Sequence, residues 1–83
     1  MRVLYFAWVR ERIGTGEETL SPPPDVMSVA GLIDWLAECS EAHRMALADR
    51  DRLRAAVDGE FVPLDAPIRG AEEIAIFPPV TGG

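Results

Sequence analysis

Few side chains in this sequence could carry chemistry, and the search for a conventional active site among them ends quickly. His43 is the single histidine and Cys39 the single cysteine, and no serine or cysteine is placed to form a nucleophile and base pair with that imidazole. His43 reads as a helix-surface residue. Cys39 falls on the apolar stripe of a predicted helix, where burial raises a thiol's pKa, so it reads as core filler rather than as an exposed thiolate or a persulfide carrier. Glu17-Glu18 and Glu72-Glu73 are adjacent carboxylates. Neighbours along a strand point to opposite faces, so neither pair can share a proton, and both read as solvated edges. The sequence has no glycine-rich phosphate loop and no metal-ligand spacing.

What remains is the end of the chain, Phe77-Pro78-Pro79-Val80-Thr81-Gly82-Gly83. Pro78 lacks an N–H and must stop a strand; the two prolines fix their own φ and push the preceding residue into extended geometry, which aims the tail outward. The residues after Pro79, fully extended, would reach roughly 13–14 Å at about 3.3–3.6 Å each, a length suited to a buried pocket of another protein. Val80 and Thr81 offer side chains that a tunnel can grip. Gly82 and Gly83 offer none, and the entropic disadvantage of glycine is offset only where walls close on the backbone. The group delivered is the Gly83 carboxylate. A free carboxylate is a poor electrophile; transfer of AMP from ATP gives it a leaving group, after which its acyl carbon can accept sulfur or an amine.

The rest of the chain must fold and hold that tail out. A length of 83 residues allows one small domain and excludes two. With 48% hydrophobic and 27% charged residues the composition is that of a globular chain, not a disordered one. Fourteen acidic residues against eight arginines give a net charge of −6, with no basic run, which argues against nucleic acid and anionic membrane as partners. A phosphate-bearing substrate would be repelled too, so its pocket belongs on a basic partner. The sequence has no lysine, so nothing can be attached to it through a lysine isopeptide. A lone cysteine excludes an intramolecular disulfide framework and fits a reducing, cytoplasmic setting. The apolar opening VLYFAWV has no small-residue cleavage site and runs into Arg10-Glu11-Arg12, so it reads as neither signal peptide nor membrane span.

Along the chain, residues 2–9 read as a strand covered on both faces, with Val3, Tyr5 and Ala7 on one side and Leu4, Phe6 and Trp8 on the other. Gly14-Thr15-Gly16 is a turn, EETLS a short second strand, and Pro22-Pro23-Pro24 a stiff loop. Ser28 is a helix N-cap, with Met27 expected to staple onto Leu32, and Val29, Leu32, Ile33, Leu36 and Cys39 mark an apolar stripe to about residue 40. Residues 41–50 add a short helical turn or two. LRAAV at 53–57 and EFVPL form a hairpin through Asp58-Gly59, and Gly70 precedes a final alternating strand, Glu73 to Phe77. The order predicts an α+β fold: a β-grasp roll with a mixed sheet of four to five strands and one main helix packed on one face. Residues 1–79 form the domain and residues 80–83 a flexible diglycine tail. If Val3, Tyr5, Ile74 and Ile76 face the helix, alternation sends Leu4, Phe6 and Phe77 to the open face, joined by Phe61, as an apolar partner surface.

The opening VLYFAWVRERIG, the Asp58-Gly59 hairpin and above all the closing IFPPVTGG resemble the small, sulfur-carrying subunit of molybdopterin synthase, a likeness that runs over essentially the whole chain. The resemblance implies that a ubiquitin-activating-like adenylyltransferase uses ATP and magnesium to convert Gly83 to an acyl adenylate, and that a sulfur relay makes it a thiocarboxylate. It further implies that the tail, Pro78 to Gly82, inserts into the large synthase subunit. There the sulfur passes to cyclic pyranopterin monophosphate to build the molybdopterin dithiolene, in a heterotetramer of two small and two large subunits. Phe6, Phe61 and Phe77 fall where the family places its contact with the large subunit. No metal or cofactor is expected on the chain itself. The alternatives are a ubiquitin-like protein modifier, a sulfur carrier for thiamine or tRNA thiolation, and a plain binding module, the last of which leaves Gly-Gly unexplained.

Overall fold

The computed structural model describes residues 1–79; the tail residues Val80, Thr81, Gly82 and Gly83 lie outside the described residues. Five strands, β1 (Arg2–Tyr5), β2 (Glu17–Thr19), β3 (Arg54–Val57), β4 (Glu60–Val62) and β5 (Glu73–Phe77), form one sheet in the order β2-β1-β5-β3-β4. The sheet is mixed: β5 runs parallel to β1 and antiparallel to β3, while β1 with β2 and β3 with β4 are antiparallel. The last strand is therefore the central one. The chain leaves the domain from the middle of its sheet, beside the C-terminal end of β1.

Three helices, α1 (Ala7–Ile13), α2 (Val29–Ala37) and α3 (Glu41–Ala46), accompany the sheet, with a 3-10 turn at Arg50–Arg52. Val29, Leu32, Ile33 and Leu36 of α2 are buried in one cluster with Val3, Tyr5, Ile74 and Ile76 from the central strands. These are the residues that strand alternation and helical spacing assigned to the core. Ser28 caps α2, its side chain accepting from the Gly31 N–H at 3.0 Å. Asp58 and Gly59 both have positive φ, 49° and 86°, the geometry of a tight hairpin turn between twisted strands. The Asp58 carboxylate also accepts from the backbone N–H groups of Glu72 and Glu73, which ties that turn to the start of β5.

Several expectations are corrected. The first strand ends at Tyr5, not at residue 9: Ala7 takes φ 53° and the chain coils into α1, closed by Gly14 in the left-handed region at φ 95°. Val9, buried, and Ile13, half-buried, sit one helical turn apart on the inner side of α1. Met27 does not staple onto Leu32, since it is 70% exposed; Val26 packs on the core instead. Helix α2 stops at Ala37, which leaves Cys39 exposed beyond its end rather than buried in the stripe. Among the described residues, no helix is long and apolar enough to cross a membrane.

Candidate functional site

The sheet has one face closed by helices and one left open. Across the open face, Phe61 on β4 is registered with Ala56 on β3, Ala56 with Ala75 on β5, and Ala75 with Leu4 on β1. Two alanines in the middle of this row keep the floor low, and aromatics rise at its end. The Phe61 and Phe77 rings lie 5.6 Å apart, tilted at 48°. Phe61 is 81% exposed and Phe6 48%, although aromatic side chains of that size are usually covered. Phe6, Phe61 and Phe77 thus line one apolar groove with Ala56 and Ala75, and the groove ends at Pro78 and Pro79. Leu4 shares the face but stands half-buried along the row, outside the groove itself.

Pro78 and Pro79 are half-buried, held at the domain surface. A second, smaller groove meets them from the side of α1 and the 3-10 turn, lined by Trp8 and Arg52. The Arg12 guanidinium lies over the Trp8 ring, 4.6 Å from its centroid. Both grooves therefore converge on the root of the segment that bears the predicted reactive end. Gly83, Gly82, Thr81 and Val80, the residues assigned to the chemistry and to insertion, lie outside the described residues.

Away from the tail the structure assembles a polar network that the sequence reading missed. His43 is not on the surface but 8% exposed. Its Nε2 lies 2.8 Å from Glu18 Oε2, and Tyr5 donates its hydroxyl to the same oxygen at 2.6 Å. Ser40 Oγ lies 2.7 Å from His43 Nδ1 and accepts the His43 backbone N–H as the N-cap of α3. With Nε2–H donating to the carboxylate, Nδ1 is left to accept the Ser40 hydroxyl, and every polar atom has a partner. Burial, then the bond to Glu18, pushes the Tyr5 phenol far above its ordinary range. Burial opposes ionisation of Glu18, yet the hydrogen bonds from Tyr5 and His43 outweigh it, and the carboxyl sits below its ordinary value.

Glu18 is therefore no solvated edge. Its register opposite Val3 carries the sign: Val3 faces the helices, so Glu18 does as well and Glu17 faces away. His43 could have been placed by the same reasoning, since Ala46 and Leu47, three and four residues on, are buried. The network holds no nucleophile in an active state, because Ser40 serves as a helix cap. Cys39 is exposed, but partial burial first, and the charges of Glu18 and Glu38 next, raise its thiol above the ordinary value, so it is not an activated thiolate.

Comparison with known proteins matches a family model described as the ThiS family to residues 3–83. The molybdopterin synthase sulfur carrier subunit of Escherichia coli K12 is 40% identical over 83 residues, covering all of this chain and 99% of that protein. The subunit of the same name from Mycosarcoma maydis is 39% identical over 87 residues, covering all of this chain and 92% of that protein. Among solved structures, SAMP1 from Haloferax volcanii superposes with a TM-score of 0.72 at 27% identity, over all of this chain and 98% of that one.

Proposed function

The chain belongs to the ThiS family, and from that membership we propose that it is the sulfur carrier subunit of molybdopterin synthase, with Gly83 as its reactive end. The observation that carries this reading is a convergence: an open apolar groove of three phenylalanines leads into Pro78-Pro79, from which the sequence continues as Val-Thr-Gly-Gly. The domain docks and the tail reacts.

In this proposal the Gly83 carboxylate oxygen attacks the α-phosphorus of ATP, held with magnesium by an adenylating partner, and pyrophosphate leaves. Hydrosulfide supplied by a donor then attacks the acyl carbon, the acyl–phosphate bond breaks and AMP leaves, giving the thiocarboxylate. That group is ionised at neutral pH and presents a nucleophilic sulfur. Inserted in the large subunit, the sulfur attacks a carbon of the pterin substrate, displacing an oxygen substituent and linking the two through a thioester; water then cleaves the acyl C–S bond, leaving sulfur on the pterin and the carboxylate on Gly83. Confinement makes the encounter effectively intramolecular, the main contribution a carrier without its own acid, base or metal can offer. Two small and two large subunits form the proposed assembly. A reducing, cytoplasmic setting belongs to the proposal, since an exposed single thiol and a thiocarboxylate both oxidise readily elsewhere.

Intact-mass measurement of the chain after incubation with ATP, activating enzyme and sulfur donor tests it. The expected result is a gain of about 16 Da at the C-terminus, oxygen replaced by sulfur, which gives a nucleophile ready for transfer. The chain lacking Gly83 should keep its fold and gain no sulfur. Sulfur transfer by the truncated chain, or conjugation of the intact one to lysines of many proteins in place of a thiocarboxylate, would overturn the reading.

A further inference from the structure

The apolar groove explains attachment but not direction. Burial of phenylalanine surface is non-directional, and a tail that must reach a buried pocket needs its root held at one angle. The backbone supplies a clue. Ala7 is held in the left-handed region at φ 53°, a conformation that L-residues other than glycine, asparagine and aspartate seldom adopt. This one residue separates Phe6, which lines the apolar groove, from Trp8, which lines the other; both grooves include Pro78 and Pro79. Strain of this kind persists where the surroundings over-determine it.

The second groove differs in chemistry. In a chain of net charge −6 it presents the exposed guanidinium of Arg52, with that of Arg12 seated on the Trp8 ring. Ion pairs among the described residues engage Arg2, Arg44 and Arg50, and none engages Arg12 or Arg52. The opposite end of β5 is the reverse, with Asp58, Glu72 and Glu73 gathered around Arg2. Among the described residues, the Arg52 cation is thus left without an acidic partner beside the tail root, where the global charge alone would favour no cation.

We propose that Arg52, with Trp8 and Arg12, forms a second contact beside the tail root that takes a carboxylate side chain of the protein receiving the tail, and so sets the angle at which the tail leaves the domain. This rests on the reading that the tail inserts into the large subunit of molybdopterin synthase. A guanidinium presents its donors in a planar fork and pairs with a carboxylate in a defined orientation, which an apolar surface cannot impose. Arg52 is a positioning residue here, not a catalytic one. The occupant is an acidic side chain, because a cationic or apolar one would leave the Arg52 guanidinium unmatched at a closing interface.

The test uses the full chain and the purified large subunit, with association rate and affinity measured at low and high salt. Arg52→Glu is expected to lower affinity about tenfold or more near 50 mM salt, largely through the association rate, with the loss shrinking several-fold near 500 mM as screening sets in. Arg52→Lys should fall between, since it keeps charge and loses the fork. Affinity unchanged by Arg52→Glu at both salts overturns the proposal, as does a loss that salt does not diminish. Phe61→Asp is the control for the docking reading itself. If it abolishes binding while Arg52→Glu has no effect, the second contact is wrong and docking stands; if neither changes binding, the docking reading has failed.

Discussion

The two sides of β5 show how one strand can serve two purposes. On the helix side, Ile74 and Ile76 are 0% exposed among aliphatic residues from every layer. On the other, Ala75 and Phe77 are half-buried, and nearby Phe61 and Phe6 stand exposed. The same alternation produced both, so the contrast lies in what each face meets. The closed face has its partners within the chain, whereas the open face has aromatic area and, among the described residues, no cover, the condition of a surface that meets another protein. Substitutions should therefore separate cleanly, stability on one side and binding on the other.

The largest effect expected is on the closed face. Ile76→Ala leaves a cavity in a packed layer and should lower stability by about 3 kcal/mol. In a domain of this length that shifts Tm down by roughly 12–24 °C in a thermal melt. Phe61→Ala on the open face should leave the melt almost unchanged and instead weaken large-subunit binding by about 2 kcal/mol, or roughly thirtyfold, as for a central aromatic anchor. A melt lowered as much by Phe61→Ala as by Ile76→Ala would erase the distinction between the faces.

A smaller effect tests the polar seam where the closed face is least apolar. Glu18 accepts from both Tyr5 and His43, and Glu18→Gln keeps the shape but loses the charge, for an expected loss of about 1–2 kcal/mol at neutral pH. The pH dependence has a definite sign. A carboxyl whose folded value lies below the ordinary 4.5 binds its proton less tightly when folded, so its stabilisation is complete above that value. It is lost as the pH falls through the lower, folded value. Denaturant titrations should accordingly show wild type and Glu18→Gln converging in acid below about pH 4.5; a gap that widens there would mean the carboxylate is not what the seam stabilises.

Much of this was legible in the sequence because two signals agreed wherever the reading was right. In β5, alternation and the proline stop coincide, and strand and boundary fall at Glu73–Phe77 as expected. At Asp58-Gly59, turn chemistry and flanking strands coincide, and in α2 the Ser28 cap precedes a clear apolar period. The misses came where one signal masked another. VLYFAWV satisfies strand alternation so well that it masks the helical spacing of Val9 and Ile13, one turn apart before a glycine cap. At Glu18 and His43 polarity suggests exposure, whereas register and helical spacing both point inward. The open side of β5 was legible since it depends only on alternation. The second groove was not, because it exists only once Ala7 has turned the chain and brought Trp8 to the prolines.

That turn gives the smallest and sharpest test of the comparison. If Ala7 is strained to set Phe6 and Trp8 apart, Ala7→Gly should relieve about 1–2 kcal/mol of left-handed penalty. It also frees the unfolded chain, which offsets about 0.5–1 kcal/mol of that gain. The net change in stability should then be a gain of about 0–1.5 kcal/mol, with no fall in the melt. Binding is the more telling readout, because glycine no longer confines the backbone between the two grooves. A stable variant with a several-fold weaker grip on the large subunit would mean that the strain orders the tail root for its partner. A variant clearly destabilised with unchanged affinity would mean instead that Ala7 serves the closed face, through α1 and Val9, and that the two faces share their supports more than β5 alone implies.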